Sequence, residues 1–377
     1  MPVIDQIKRK IDSELPELKK NAALIYSLGR SASYAAEQWT LPWIEFAVNR
    51  KEKPYKKLER EKITLSYNKV FELLKQDAEN MAAGVYPYSV LNFESPYRHL
   101  KSLVSVFSDA VKISKRRSNK IAHEFDDKKD HDFEAAPEYT KRNYHFQTNG
   151  YFSPESADLY DHQVEILFGG SSHAMRRLIL PLLKKQIANE GEGMHFLELG
   201  CGTGILTRFM KLTFPKAKIT ASDMSSSYLK KAQENLADLQ GINFIQAHAE
   251  DLPFKNETFD LVYSCYLFHE LPLDVRKQTL NESQRVLKPA GLCGFVDSLQ
   301  NQDDKDLDWA LDLFPKDFHE PFYKNYTQHP IEGMVQEHNM HVVERVTGFF
   351  SKAVLAKKDY PGRSEERRVG KECRSRW

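Results

Sequence analysis

The sequence predicts a doubly wound α/β fold: a mainly parallel sheet, finished by an antiparallel hairpin at its C-terminal edge and preceded by a helical N-terminal module. Three observations support this. The stretch from His195 to Thr207 carries an apolar run into three glycines at alternate positions, Gly200, Gly202 and Gly204, and then into an amphipathic run from Ile205 to Leu212. That order reads as a buried strand, a tight turn and a helix. From residue 193 onward, strand-like and helix-like runs alternate at the spacing of βαβ units. Before about residue 112 the apolar positions recur at helical spacing, without any motif that suggests chemistry.

The helical part opens with Val3, Ile4, Ile7 and Ile11, followed by a run from Pro16 through Leu24 and Ile25. An apolar cluster, from Trp39 and Leu41 through Trp43 to Val48, surrounds Pro42, and further helices are marked by Val70–Leu74 and by Tyr97, Leu100, Val104, Phe107 and Val111. Two readings of this module stay open: a cap packed on the catalytic domain, or an element that closes over substrate. Lys112 to Glu138 is dense in charge and reads as a solvated linker or exposed face. The expected division is a helical module over 1–125, a charged linker over 126–140, the α/β domain over 141–358 and a disordered tail over 359–377. Arg142 to Gly170 mixes aromatic and polar residues. Its first reading is a helix packed on the sheet, with a pocket wall as the alternative. A helix over Ala174–Ile187 leads into the glycine strand. Strands are expected near 194–199, 217–222, 242–246, 259–264 and 292–297, helices near 204–212, 226–238 and 273–287, and a final hairpin from His341–Thr347 and Phe349–Ala356.

Composition narrows the function classes. At 377 residues and 41% hydrophobic content the chain fits a soluble enzyme with a catalytic domain and an added module. No apolar stretch is long enough to span a bilayer, and residues 1–20 carry no secretory pattern. The four cysteines lack metal or disulfide spacing, which points to reduced thiols and a cytoplasmic location. Arg363–Trp377 resembles a translated sequencing adapter and is not expected to pack. It holds six of the 54 basic residues and three of the 53 acidic ones, so without it the net charge moves from +1 to −2. That balance argues against a nucleic-acid partner.

The spacing of the glycines separates two cofactor classes. A dinucleotide turn needs a third glycine three places after the second, and Ile205 stands there. Further along, Asp223 lies 19 residues after Gly204, where an acid in α/β cofactor folds receives ribose hydroxyls. Ala249-Glu250-Asp251-Leu252-Pro253-Phe254, Asp260-Leu261-Val262 and Arg285-Val286-Leu287-Lys288-Pro289-Ala290-Gly291 follow in order. Together these motifs resemble the class I S-adenosylmethionine-dependent methyltransferases, in a style similar to the ubiquinone/menaquinone-biosynthesis group, strongly over about 190–300. Two positions depart from the pattern: His248 stands where an Asp or Asn often meets the adenine amino group, and Ala290 replaces a glycine.

The resemblance implies S-adenosylmethionine as cofactor. Gly200, Gly202 and Gly204 would run under its methionine and ribose, Glu198 would help to hold its amino end, Asp223 would take the ribose, Met224 would pack on the adenine, and Ala249, Glu250 and Asp251 would flank the base. Ser264 to Leu271 follows the fourth strand, on the edge where open α/β sheets place reacting groups. Within it His269 is the candidate general base, because an ordinary imidazole is largely neutral at pH 7. The segment has neither an Asn/Asp-Pro-Pro-aromatic signature nor a Pro-Cys pair. O- or C-methylation of a small organic acceptor is therefore the leading expectation. The rivals are an RNA or protein methyltransferase docking through the helical module, supported by Lys115–Arg117, and a non-catalytic cofactor-binding protein.

Overall fold

The glycine-bearing strand lies near the middle of a seven-stranded sheet. In chain order the strands are β1 (His195–Leu199), β2 (Lys218–Asp223), β3 (Ile242–Gln246), β4 (Phe259–Cys265), β5 (Leu287–Ser298), β6 (Met340–Gly348) and β7 (Ser351–Lys358). A computed structural model describes residues 2–49, 59–91, 96–126 and 129–359. Across the sheet the order is β3-β2-β1-β4-β5-β7-β6. The first five strands are parallel, and β7 runs antiparallel to both β5 and β6. Strand order reverses between β1 and β4, and ligands of open α/β sheets bind at such a switch point. β5 starts earlier than the sequence predicts because a bulge lies between the pairs Phe259↔Leu287 and Leu261↔Leu292. There Ala290 takes φ +58° and Lys288 Nζ reaches Asp260 at 2.8 and 2.9 Å.

Helices cover both faces. Before the sheet come α1 (Pro2–Asn49), α2 (Arg60–Ala82), α3 (Pro96–Asn119), α4 (Pro154–Leu167), α5 (Ser172–Arg176) and α6 (Ile179–Lys184). Between strands lie α7 (Ile205–Thr213), α8 (Ser226–Asn235) and α9 (Leu273–Val286), and between β5 and β6 come α10 (Asp308–Asp317), α11 (Tyr323–Gln328) and α12 (Ile331–Glu337). α1 runs through Pro16 without a break, and Trp39 and Trp43, expected in an apolar cluster, stand exposed. The single helix expected over 174–187 is instead two short ones. Pro181 supplies no N–H and its ring crowds the carbonyl four residues back, which breaks the helix at Arg177–Leu178.

The N-terminal helices share one core with the sheet. Leu73, Leu74, Ala78 and Met81 of α2 pack in the same cluster as Leu180 and Leu183 of α6 and Phe196, Ile219 and Leu261 of the strands. Two ion pairs, the first buried and the second partly buried, reinforce the joint. Arg177 grips Asp77 with two hydrogen bonds of 2.8 and 2.6 Å, and Arg30 donates to Glu165 at 3.0 Å. The tail expected to be disordered lies outside the described residues from 360 onward, as does Arg363–Trp377. Among the described residues no helix is long and apolar enough to cross a membrane.

Candidate active site

The three glycines at the end of β1 all adopt positive φ, at +63°, +55° and +85°, a region that side chains resist. They do different work. A Cβ on Gly204 would strike Leu236 Cδ1 at 2.7 Å, so Gly204 lets α7 pack on the end of α8. A Cβ on Gly200 would press on Leu267 at 3.2 Å. A Cβ on Gly202 would meet no protein atom within 4 Å, because Gly202 faces a cavity of about 110 Å³.

That cavity lies beyond the carboxyl ends of β1, β2 and β4. Gly200, Gly202, Asp223, Met224, Ala249 and Glu250 of the expected cofactor set line it. Asp223 accepts from the Gly202 amide at 2.8 Å and the Ser225 amide at 2.9 Å. Burial raises its pKa, and these amides, with that of Met224, oppose the rise. A carboxylate has lone pairs left for further donors. Met224 packs beside Phe133, Ala136 and Phe152. Glu250 accepts from the Tyr139 hydroxyl at 2.7 Å. The open space over Gly202 and the Asp223 carboxylate beside it suit a ligand with a hydroxylated ring, which is the fit that S-adenosylmethionine requires.

Three residues of the expected cofactor set do not line the cavity. Gly204 is held by α8. Glu198 is buried under the turn, where its carboxylate accepts from Thr207 Oγ1 at 2.5 Å and Tyr263 OH at 2.9 Å. Burial pushes its pKa up to about 8 against those two hydrogen bonds. Asp251 is exposed, in an antiparallel bridge with His248.

His269 is not a free base. Burial alone would lower its pKa, but the charge of Asp297, a 2.6 Å hydrogen bond to Nδ1, and the nearby Glu270 and Glu320 outweigh burial and raise it to about 10. The ring is held as an imidazolium at neutral pH. Glu270, its sequence neighbour, lines the cavity instead and accepts from Tyr151 OH at 2.7 Å.

The stretch before α4 supplies a wall that its amphipathic reading misses. Tyr144, Tyr151 and Tyr160 face the cavity, and Tyr144 stacks on Tyr151 with ring centres 5.3 Å apart. α4 carries Tyr160 there. Ser153 caps this helix by accepting from the Ser156 amide at 3.1 Å, with Pro154 in its first turn. Asp161 then ties α4 to the glycine turn by accepting from Thr203 Oγ1 at 2.6 Å.

The charged stretch over 126–140 is likewise not a solvated linker where it is described. Asp130 accepts from the Ser225 and Ser227 hydroxyls and the Ser227 amide, and Asp132 accepts from Ser226 and Gln246. Both acids sit at the N-terminus of α8, where free amides and the helix dipole favour negative charge. The tyrosine wall and these acids carry no motif of their own. Their only sequence signal is an aromatic and acidic excess just upstream of the sheet.

Among the described residues, none before Tyr139 lines the cavity. The basic run on α3 is also not a free docking patch. Arg116 is buried, donating to Phe146 O at 2.8 Å and Thr148 Oγ1 at 2.6 Å, and Arg117 lies over the Phe318 ring.

Residues 196–291 match the methyltransferase domain family. Over 142 residues the chain is 32% identical to a ubiquinone/menaquinone biosynthesis C-methyltransferase of Desulfotalea psychrophila, covering 38% of this chain and 54% of that protein. It is 32% identical over 148 residues to a malonyl-[acyl-carrier protein] O-methyltransferase of Halalkalibacterium halodurans, covering 37% and 51%. It is 34% identical over 123 residues to a fatty-acid O-methyltransferase of Mycolicibacterium smegmatis, covering 32% and 43%. The chain thus spans about half the length of the curated relatives it matches. Among solved structures, a SAM-dependent methyltransferase from Aquifex aeolicus superposes with a TM-score of 0.41 at 20% identity, covering 55% of this chain and 98% of that one. On the matched segment and its ordered motifs, the chain carries a class I S-adenosylmethionine-dependent methyltransferase domain.

Proposed function

We propose that the protein methylates a small organic acceptor at oxygen or carbon, with the acceptor held against Tyr144, Tyr151 and Tyr160 and its proton taken by Glu270. The observation that carries this reading is the position of Glu270: a carboxylate on the cavity wall after β4, steadied by the Tyr151 hydroxyl. Burial would raise its pKa, but hydrogen bonding from His145 and the charges of His269 and His145 bring it below the ordinary value. The relatives support the same class through their names, one a C-methyltransferase and two O-methyltransferases. The burial of Arg116 weighs against a macromolecular acceptor.

S-adenosylmethionine supplies an electrophilic methyl group on a sulfonium whose departure as a thioether needs no acid. The chain's part is then alignment and proton removal. Gly202 leaves the wall open, Asp223 orients the donor through its hydroxyls, the tyrosines hold the acceptor, and Glu270 receives the proton that the acceptor loses.

Incubating the protein with labelled S-adenosylmethionine and a metabolite extract should yield a labelled small product identifiable by mass. Glu270→Gln should cut turnover by about a hundredfold or more while S-adenosylhomocysteine affinity stays near wild type. Gly202→Val, which puts a side chain into the open space at φ +55°, should abolish that affinity in calorimetry. Labelled protein or RNA in place of a small product would overturn the reading.

A further inference from the structure

Beside the cavity, three side chains from distant parts of the chain converge. His145 comes from the loop before α4, Glu270 from the turn after β4 and Glu320 from between α10 and α11. One ligating atom from each lies within 4.8 Å of those of the other two. His145 Nδ1 stands 3.0 Å from Glu320 Oε1, and its Nε2 stands 3.5 Å from Glu270 Oε1. Yet Nδ1 of His145, Oε2 of Glu270 and both oxygens of Glu320 are buried without a hydrogen bond. At 3.0 Å the imidazole and the carboxylate are close enough to bond but not aligned to do so. Buried polar atoms almost always have a partner, and the Glu320 side chain is fully shielded from solvent.

Water could satisfy one or two of these atoms. Four acceptor-capable atoms, carried by two carboxyl groups and an imidazole, suit a cation better. One imidazole nitrogen with two carboxylates is a donor set for Mn²⁺, Fe²⁺ or Zn²⁺. The surroundings suit such an ion too. Tyr151 OH orients Glu270 from outside the cluster, and Phe314 and Phe318 lie edge-on to His145 at ring-centre distances of 6.5 and 6.2 Å. Hydrogen bonds and an apolar shell of this kind fix ligand orientation and limit water. His269 also stands near Glu270, its Nε2 3.7 Å from Glu270 Oε1, and its Nδ1 is paired with Asp297 at 2.6 Å.

We propose that His145, Glu270 and Glu320 form a binding site for a divalent transition-metal ion on the acceptor side of the cavity. This use of the site rests on the methyl-transfer reading. Because Glu270 belongs to both the cluster and the cavity wall, an ion there would draw an acceptor's hydroxyl or enol oxygen and lower its pKa. The acceptor's proton passes to the uncoordinated oxygen of Glu270. The acceptor atom then bonds to the methyl carbon as the carbon–sulfur bond breaks, and S-adenosylhomocysteine leaves neutral.

The test uses the full chain, stripped with a chelator and titrated with MnCl₂ by electron paramagnetic resonance and with ZnCl₂ by calorimetry. Saturable binding of one ion per chain is expected, weakened by about a hundredfold or more in Glu320→Gln, with S-adenosylhomocysteine affinity unchanged as the check on folding. His145→Asn is the second variant and should show the same loss. Absence of saturable binding, or wild-type binding in either variant, would overturn the site. Labelled methyl transfer that survives the chelator would sink the metal proposal and leave the methyltransferase reading standing. Ion binding to a protein that binds no S-adenosylhomocysteine would do the reverse.

Discussion

Glu37, His99 and His162 form a second histidine–glutamate group, made of the same residue types as His145, Glu270 and Glu320. The two are opposites in how their polar atoms are used. Glu37 spends both oxygens inside its group, at 2.6 Å from His99 Nε2 and 2.9 Å from His162 Nε2, and so clasps α1, α3 and α4 together. Tyr34 packs edge-on to both rings at 5.1 Å. One atom of that group, His162 Nδ1, lacks a hydrogen bond, against four in the group beside the cavity. A group that consumes its own donors and acceptors is a joint between helices. A group that leaves them buried and unmatched is waiting for a ligand.

Stability measurements should separate the two most sharply. Glu37→Ala breaks two charge-assisted hydrogen bonds and should cost about 3 kcal/mol, read as a lower denaturant midpoint at unchanged slope. Glu320→Gln, in metal-free protein, removes a carboxyl group that had no hydrogen bond to lose. It should stay within about 1 kcal/mol of wild type or be more stable. Equal losses would erase the distinction.

Metal should act on one group alone. Zn²⁺ or Mn²⁺ at about a hundred times its Kd should add roughly 2.7 kcal/mol to the wild-type protein and nothing to Glu320→Gln. His99→Asn should start from a lower melting temperature yet keep that response. If His99→Asn loses it, the ion belongs in the helix clasp.

Acid should act on the clasp. Burial would raise the pKa of Glu37, but hydrogen bonds and charge from His162 and His99 bring it below its ordinary value of 4.5. A group whose folded pKa is depressed binds its proton more readily when unfolded. Its stabilisation is therefore complete above about pH 4.5 and is lost as pH falls through the folded value. The stability gap between wild type and Glu37→Gln should shrink on that descent. A gap that widens in acid would refute the assignment. The smallest effect belongs to Tyr151→Phe, which removes one hydrogen bond to Glu270. It should lower turnover by about fivefold and leave S-adenosylhomocysteine affinity unchanged in the same preparation.

What the sequence made legible was local. The glycine turn and Asp223 announce themselves because strand, turn and helix follow one another within a few residues, and the strands and final hairpin were readable from their apolar periodicity. The surroundings of His269 were not legible for the converse reason: Asp297, which pairs with its ring, is 28 positions away on the next strand. His145 lay in the aromatic and polar stretch whose alternative reading was a pocket wall, Glu320 lay in no motif, and only the fold brings the two to Glu270. Asp130 and Asp132 looked like part of a charge run because composition does not reveal that each faces the start of a helix.

The core shared by α2 and the sheet bears on what can be cut or exchanged. The family match ends at residue 291 and begins at 196, but Leu73 and Leu178 close together over Gly348, where a Cβ would meet each at 2.9 Å. A chain started at residue 141 would bare that seam and leave the buried Arg177 guanidinium without Asp77. The packed unit is accordingly larger than the matched segment. A graft that carries the methyltransferase segment into another protein must bring α2 with it, or replace both the apolar seam and the acid.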